Sequence, residues 1–279
     1  MGAAAILTDA AGAKLAADVL AGSDAALVVA EDARAALSGA AALWFGAQPE
    51  TMVAVTGTNG KTSVASFTRQ IWMALDHAAI NIGTTGVEGA WAAPSSHTTP
   101  DAITLHTMLA QAAGAGVTHA AMEASSHGLD QRRLDGVRLV AGGFTNLTQD
   151  HLDYHHTMEA YAEAKAGLFT RLLPEEAAAV VNLNGAGGAE MLALAEERGL
   201  KTLAIGRDPL AELRITGQRY DATGQDLRFD WKDEPFQLHL NLVGGFQAEN
   251  VLVAAGLVIA AGASPRDVFA VLPKLSGVR

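Results

Sequence analysis

Apolar residues first gather in two short runs, Ala3–Leu7 and Ala26–Val29, on either side of an alanine-rich stretch around Leu15–Leu20. Residues Glu31–Phe45 then place Ala36, Leu37, Ala40, Leu43 and Trp44 at the three-and-four spacing of a helix with one buried face. Gly46 and Pro49 end that helix and mark a boundary, because neither residue continues a helix well. From residue 52 the pattern becomes strand, glycine turn, helix, repeated. Apolar runs at Met52–Val55, Thr118–Met122, Val137–Val140, Ala177–Val181 and Thr202–Ile205 predict an α/β fold with a doubly wound, mostly parallel sheet. Residues 213–242 differ: Leu227, Phe229 and Trp231, then Phe236, Leu238 and Leu240, alternate with polar residues. That period of two predicts an antiparallel hairpin turning around Asp233-Glu234-Pro235, appended to the sheet. A last alanine-rich helix over Gln247–Ala261 and a short helix ending near Leu272 complete the reading. The expected organisation is a partial small α/β domain over residues 1–47 and a larger one over 48–279.

Composition narrows the function. The chain has 279 residues, of which 49% are hydrophobic and 18% charged, enough apolar material for a sizeable core. It has no cysteine, so disulfides, thiolate metal sites and cysteine nucleophiles are excluded. A net charge of −11 argues against general nucleic-acid binding, so a phosphate site has to be local. The first residues carry no basic n-region ahead of an apolar run. Val251–Ala263 is too short for a membrane span. A cytoplasmic protein with no membrane contact is the expectation.

The strand at Met52–Val55 runs straight into Thr56-Gly57-Thr58-Asn59-Gly60-Lys61-Thr62-Ser63, and a helix follows. A strand, a glycine turn and a helix N-terminus direct free backbone N–H groups and the positive end of a dipole at an anion. Lys61 would neutralise phosphate charge and the Thr62 hydroxyl would ligate Mg²⁺. Val55 stands where the strict phosphate-loop pattern has its first glycine, so this is a variant loop with glycine at 57. Glu123 closes the Thr118–Met122 run, and ligands of doubly wound sheets bind beyond the carboxyl ends of the strands. The Val137–Val140 run leads through Gly142-Gly143-Phe144 into a polar run to His156. Its position after a strand favours site roles for Asn146 and His151 and leaves Asp150, His155 and His156 unassigned. Met158, Tyr161, Lys165, Leu168 and Phe169 share one helical face, which puts a lysine in an apolar stripe. Either Lys165 snorkels at the edge of the stripe, or it is a site lysine, free or converted to a carbamate. Periodicity does not choose between them.

Together TGTNGKTS (56–63), TTPDA (98–102), MEASSHGLDQRR (122–133), TNLTQDHLDYH (145–155) and EAKAGLF (163–169) resemble the Mur ligases in order and spacing, over Val53–Arg279. Within that family they are most similar to the members that add the third amino acid to the peptidoglycan stem peptide. The resemblance implies a central ATPase domain whose loop, Gly57, Thr58, Asn59, Gly60, Lys61, Thr62 and Ser63, holds ATP. It implies Mg²⁺ on Thr62, Glu123, His151 and a carbamylated Lys165. Asn146 and Asn250 would lie close to the nucleotide. Thr98, Thr99, Ser125, Gln131 and Arg133 would hold the substrate, UDP-MurNAc-L-Ala-D-Glu, which a diamino acid, meso-diaminopimelate or lysine, extends. Lys61, Glu123, His151 and Lys165 are the expected catalytic set, in a monomer. Residues 1–47 resemble the latter half of a uridine-nucleotide-binding domain, and no counterpart of the family's C-terminal domain follows. The expectation is therefore a fragment that binds ATP or a UDP-sugar without completing ligation. A folylpolyglutamate synthase-like ligase is the related alternative, although its loop typically reads Gly-Lys-Gly where this chain has Gly60-Lys61-Thr62.

Overall fold

A computed structural model describes residues 2–278, so the outermost residues of the two expected domains, Met1 and Arg279, lie outside the described residues. The N-terminal unit comprises β1 (Ala5–Thr8), α1 (Ala10–Leu20), β2 (Ala26–Val29) and α2 (Ala33–Phe45). Its two strands pair in parallel as a separate small sheet. The helices start where capping chemistry allows. Asp9 accepts a hydrogen bond from Gly12 N at 2.7 Å, and Asp32 accepts from Ala35 N at 2.9 Å.

Everything from residue 51 belongs to one ten-stranded sheet and the helices that cover it. In chain order these are β3 (Thr51–Thr56), α3 (Lys61–Ala74), β4 (Ala79–Gly83), β5 (Gly86–Gly89), α4 (Ala102–Gly114), β6 (His119–Glu123), α5 (Ser126–Asp130) and β7 (Leu139–Phe144). There follow α6 (Leu152–His155), α7 (Met158–Gly167) with a π-helical turn at Leu168–Leu172, β8 (Ala178–Asn182), α8 (Gly188–Glu197) and β9 (Lys201–Gly206). The last elements are β10 (Leu213–Tyr220), β11 (Gln225–Trp231), β12 (Glu234–Leu240), α9 (Phe246–Ala260) and α10 (Pro265–Val271). The strand order is β12-β11-β10-β9-β8-β7-β3-β6-β4-β5. Pairings from β4 through β10 are parallel, while β5, β11 and β12 are antiparallel additions at the two edges.

The central strand β3 shows why its sequence is apolar without alternation. Val53 and Val55 pack with Phe67, Trp72 and Val253 on one face, and Met52 and Ala54 pack with Ile80, Leu105 and Met122 on the other. Both faces of the sheet are covered, as parallel sheets require. Beside β3 the winding reverses, because the chain builds outward through β4 and β6 and then crosses to β7 and β8. The carboxyl ends of β3, β6 and β7 therefore border the crevice that such a reversal leaves open. Among the described residues no helix is long and apolar enough to cross a membrane.

Three expectations need correction. First, β7 starts at Leu139 and runs through Gly142 and Gly143 to Phe144, where the expected strand was Val137–Val140. A Cβ at Gly142 would stand 3.0 Å from Leu173 and one at Gly143 would stand 3.2 Å from Leu257, so these glycines serve close packing and do not end the strand. Second, β4 and β5 were not anticipated. Ala79–Gly83 is buried along its whole length, and its one polar residue, Asn81, is held by Arg69 at 2.5 Å. Third, the appended unit has three strands, and its last hairpin turns at Lys232-Asp233. Both of those residues have positive φ, 49° and 69°, the geometry of a two-residue hairpin loop. Pro235 lies inside β12, which tolerates it because it is the edge strand.

Candidate functional site

The loop between β3 and α3 is built so that only glycine fits at its two bends. Gly57 has φ 142° and Gly60 has φ 88°. A Cβ on Gly57 would collide with the Thr145 hydroxyl, and one on Gly60 with the Asn250 amide. The loop is braced from β7's far end: Thr58 N donates to Asn146 O at 2.8 Å and Asn59 N donates to Asn146 Oδ1 at 3.1 Å. Thr145 Oγ1 donates to Asn59 O at 2.6 Å. Asn146 and Asn250 thus touch the loop directly, and Thr145, which sequence reasoning did not single out, supports it. Thr62 and Ser63 occupy the first turn of α3, whose N-terminus has no side-chain cap. Replacing Gly57 by alanine is expected to cost about 2 kcal/mol or more in urea unfolding, since it adds backbone strain and a clash at once.

Two lysines converge on one backbone oxygen. Lys61 Nζ donates to Gly57 O and to Thr58 O, each at 2.9 Å, and Lys165 Nζ donates to the same Gly57 O at 2.7 Å. Lys165 is 1% exposed and lies 4.5 Å over the Tyr161 ring, so it does not snorkel. Burial pushes its ammonium down to about 7, the Lys61 charge acts in the same direction, and Asp150 opposes both. Burial also lowers Lys61, against the attraction of Glu123 and Asp150. Tyr161, itself buried, shares a hydrogen bond with Thr58 Oγ1 at 3.1 Å and so ties α7 to the loop.

On the other side of β3, Glu123 ends β6 in register with Val55 and is 1% exposed. Its carboxylate accepts from Thr84 N at 2.9 Å and Thr84 Oγ1 at 3.3 Å. Among the described residues it has no ion-pair partner within 4.0 Å. The five expected substrate residues form one strip with it. Thr98 Oγ1 lies 3.0 Å from Thr84 Oγ1, and Thr99 Oγ1 donates to Glu123 O at 2.8 Å and accepts from Ser125 N at 3.0 Å. Ser125 caps α5. Arg133 donates to Thr99 O at 2.7 Å and to Gln131 Oε1 at 2.6 Å, and Gln131 donates to Tyr154 OH at 3.1 Å. Thr84 was missed because it follows β4, the strand that was missed. A polar pair at the carboxyl end of a short apolar run, Thr84-Thr85 after Ala79–Gly83, was the available signal.

His151 is the loosest member of the expected set. It adopts φ 52°, its side chain is 46% exposed, and its ring stands 5.0 Å from His127 and 6.2 Å from Tyr161. Its Nε2 is 3.5 Å from Asp150. Behind it His155 is buried between Tyr154 and Tyr161 with an unpartnered Nε2, and burial lowers its pKa, whereas His156 faces solvent. A buried carboxylate without a cation partner among the described residues, at a strand end in register with Val55, fits a divalent cation. Lys165 as an ammonium is a donor and not a metal ligand, so it fits the expected metal set only as a carbamate.

The Mur ligase middle domain family matches residues 55–258. The UDP-N-acetylmuramoyl-L-alanyl-D-glutamate--2,6-diaminopimelate ligase of Mesorhizobium japonicum is 48% identical over 265 residues, covering 92% of this chain and 53% of that protein. The ligase of the same name from Bradyrhizobium diazoefficiens is 50% identical over 250 residues, covering 88% and 52%. A solved structure of a UDP-N-acetylmuramoyl-L-alanyl-D-glutamate--2,6-diaminopimelate ligase superposes with a TM-score of 0.83 at 30% identity, covering 99% of this chain and 60% of that one. The chain thus spans about half the length of the curated relatives it matches.

Proposed function

The chain belongs to the Mur ligase family, and from that premise we propose that it is the nucleotide-binding and phosphoryl-transfer part of a ligase that adds meso-diaminopimelate to UDP-MurNAc-L-Ala-D-Glu. The observation that carries this reading is the convergence of Lys61 and Lys165 on the Gly57 carbonyl, with the buried Glu123 at the neighbouring strand end. Three ionisable groups around an anion-binding turn suit a triphosphate and a divalent cation, and 48–50% identity to enzymes of that name supports the substrate.

In this reading the N–H groups of Gly60 and of α3's first turn bind the phosphates, while those of Thr58 and Asn59 stay on Asn146, and Lys61 leaves the Gly57 and Thr58 carbonyls to meet the phosphates. Mg²⁺, held by Thr62, Glu123, His151 and carbamylated Lys165, would supply charge neutralisation. A neutral Lys165 amine, populated near pH 7, is the form that takes up CO₂. The D-glutamate side-chain carboxylate attacks the γ-phosphorus of ATP, giving an acyl phosphate and ADP. The amine of the diamino acid then attacks the acyl carbon, phosphate leaves, the amine loses a proton, and an amide remains. The chain's task is positioning and charge stabilisation, which explains why no nucleophilic side chain is required. Thr98, Thr99, Ser125, Gln131 and Arg133 would hold the UDP-sugar peptide, and Asn146 and Asn250 would keep the nucleotide loop in shape. The reading takes residues 1–47 as part of a uridine-nucleotide-binding domain and residues 48–279 as the ATP-binding domain. It takes the enzyme to be cytoplasmic and monomeric.

The test has two parts. Isothermal calorimetry of the chain with ATP and Mg²⁺ is expected to give saturable one-to-one binding that EDTA weakens, and no binding would sink the proposal. Amide formation from UDP-MurNAc-L-Ala-D-Glu, ATP and meso-diaminopimelate then separates a complete catalyst from a binding module: the chain alone is expected to bind ATP without turnover.

A further inference from the structure

Among the described residues, one holds the Glu123 carboxylate by hydrogen bonds. Thr84 supplies a backbone N–H to Oε1 at 2.9 Å and a hydroxyl to Oε2 at 3.3 Å, so both oxygens are tied and the carboxylate plane is set. The approach is close because residue 83 is glycine, where a Cβ would run into the Glu123 carboxyl group. Parallel pairing of Ile82 with Met122 delivers the end of β4 to that spot. The same hydroxyl lies 3.0 Å from Thr98 Oγ1. A hydroxyl has one proton and two lone pairs, so while donating to Glu123 it can still accept from Thr98. Thr99, the next residue, donates to Glu123's own carbonyl at 2.8 Å. Among the described residues Thr84 is thus the one side chain that hydrogen-bonds both the carboxylate and the strip running from Thr98 to Arg133.

We propose that Thr84 is a positioning residue: its hydroxyl orients the Glu123 carboxylate toward a divalent cation and links that carboxylate to Thr98. The inference rests on the nucleotide-ligase reading above. Without the hydroxyl, Glu123 keeps one hydrogen bond to a backbone N–H and gains freedom to rotate. Cation binding then has to order it again.

The experiment is Mg²⁺ titration of ATP binding, followed by calorimetry, on the full chain and on Thr84→Val, Thr84→Ser and Thr84→Ala, with thermal melting of each. Thr84→Val is expected to weaken the Mg²⁺ dependence about tenfold, the size of one lost hydrogen bond to a charged group. ATP binding in EDTA should be unchanged, and Thr84→Ser should restore the Mg²⁺ response to within about twofold. If valine at 84 prevents folding, Thr84→Ala carries the same expectation. An unaltered Mg²⁺ response in a folded hydroxyl-free variant overturns the inference, as does an equal loss in EDTA. A parent chain whose ATP binding ignores Mg²⁺ overturns the ligase reading itself, and the inference with it.

Discussion

Lys165→Met is expected to stabilise the fold while removing the activity of any ligase that contains this chain. In the folded chain the ammonium of Lys165 is pushed from 10.5 down to about 7, chiefly by burial and then by the Lys61 charge. Such a displacement corresponds to a penalty of roughly 5 kcal/mol on the charged form. Methionine fills a similar volume with no charge to desolvate. It forfeits the hydrogen bond to Gly57 O, yet that carbonyl still accepts from Lys61. A net gain of about 2 kcal/mol at pH 6 is therefore expected in urea unfolding. The sign follows from proton counting. Below pH 7 the lysine is protonated in both states and the penalty is complete. Between about 7 and 10.5 the unfolded chain binds the extra proton, so the parent gains stability as pH rises and the gap to the variant closes. A variant less stable than the parent at both pH 6 and pH 10 would show that the buried ammonium is not strained. Activity should move the other way, because methionine can neither carry a carbamate nor ligate Mg²⁺. The trade of stability for function is what a charge buried for chemistry predicts.

Lys61→Met is expected to weaken ATP binding on the order of a hundredfold, the loss of a charge-assisted contact to phosphate, and to leave the fold intact. Lys61 spends its protons on the Gly57 and Thr58 carbonyls, so it folds back onto the turn it would serve. Removing it also relieves Lys165 of the neighbouring positive charge, and the Lys165 pKa should rise. The two substitutions share one carbonyl, so their effects on stability should not add: the double variant is expected to gain less than the sum of the single ones. Calorimetry with ATP in Mg²⁺ reads the first effect and a double-mutant cycle in urea reads the second. An ATP affinity within about threefold of the parent would remove Lys61 from the phosphate site.

Much of this arrangement was legible because it is local. The loop from Gly57 to Ser63 needs glycine at two bends, a lysine after the second and a helix behind it, and those demands fall within seven consecutive residues. Glu123 could be assigned because a carboxylate closing a buried parallel strand always emerges at the same edge of the sheet. β7 was placed two residues early and stopped short of Gly142 because glycine normally interrupts strands, and only the packing of Leu173, Leu168 and Leu257 explains its use there. β4 escaped because five residues, AINIG, give no period to read.

The sequence by itself determined the alternation of strands and helices from residue 52, the glycine loop between β3 and α3 and the local placing of Glu123 at a strand end, since each rests on neighbours a few residues apart. Tertiary structure decided how those groups are used. Lys165 reaches a carbonyl 108 positions away, and Glu123 is held by a threonine 39 positions earlier on a strand the pattern did not reveal. Whether a lysine in an apolar stripe snorkels or is desolvated depends on what covers it. That cover is set by strand order and register, which contacts between distant segments choose and no local spacing encodes.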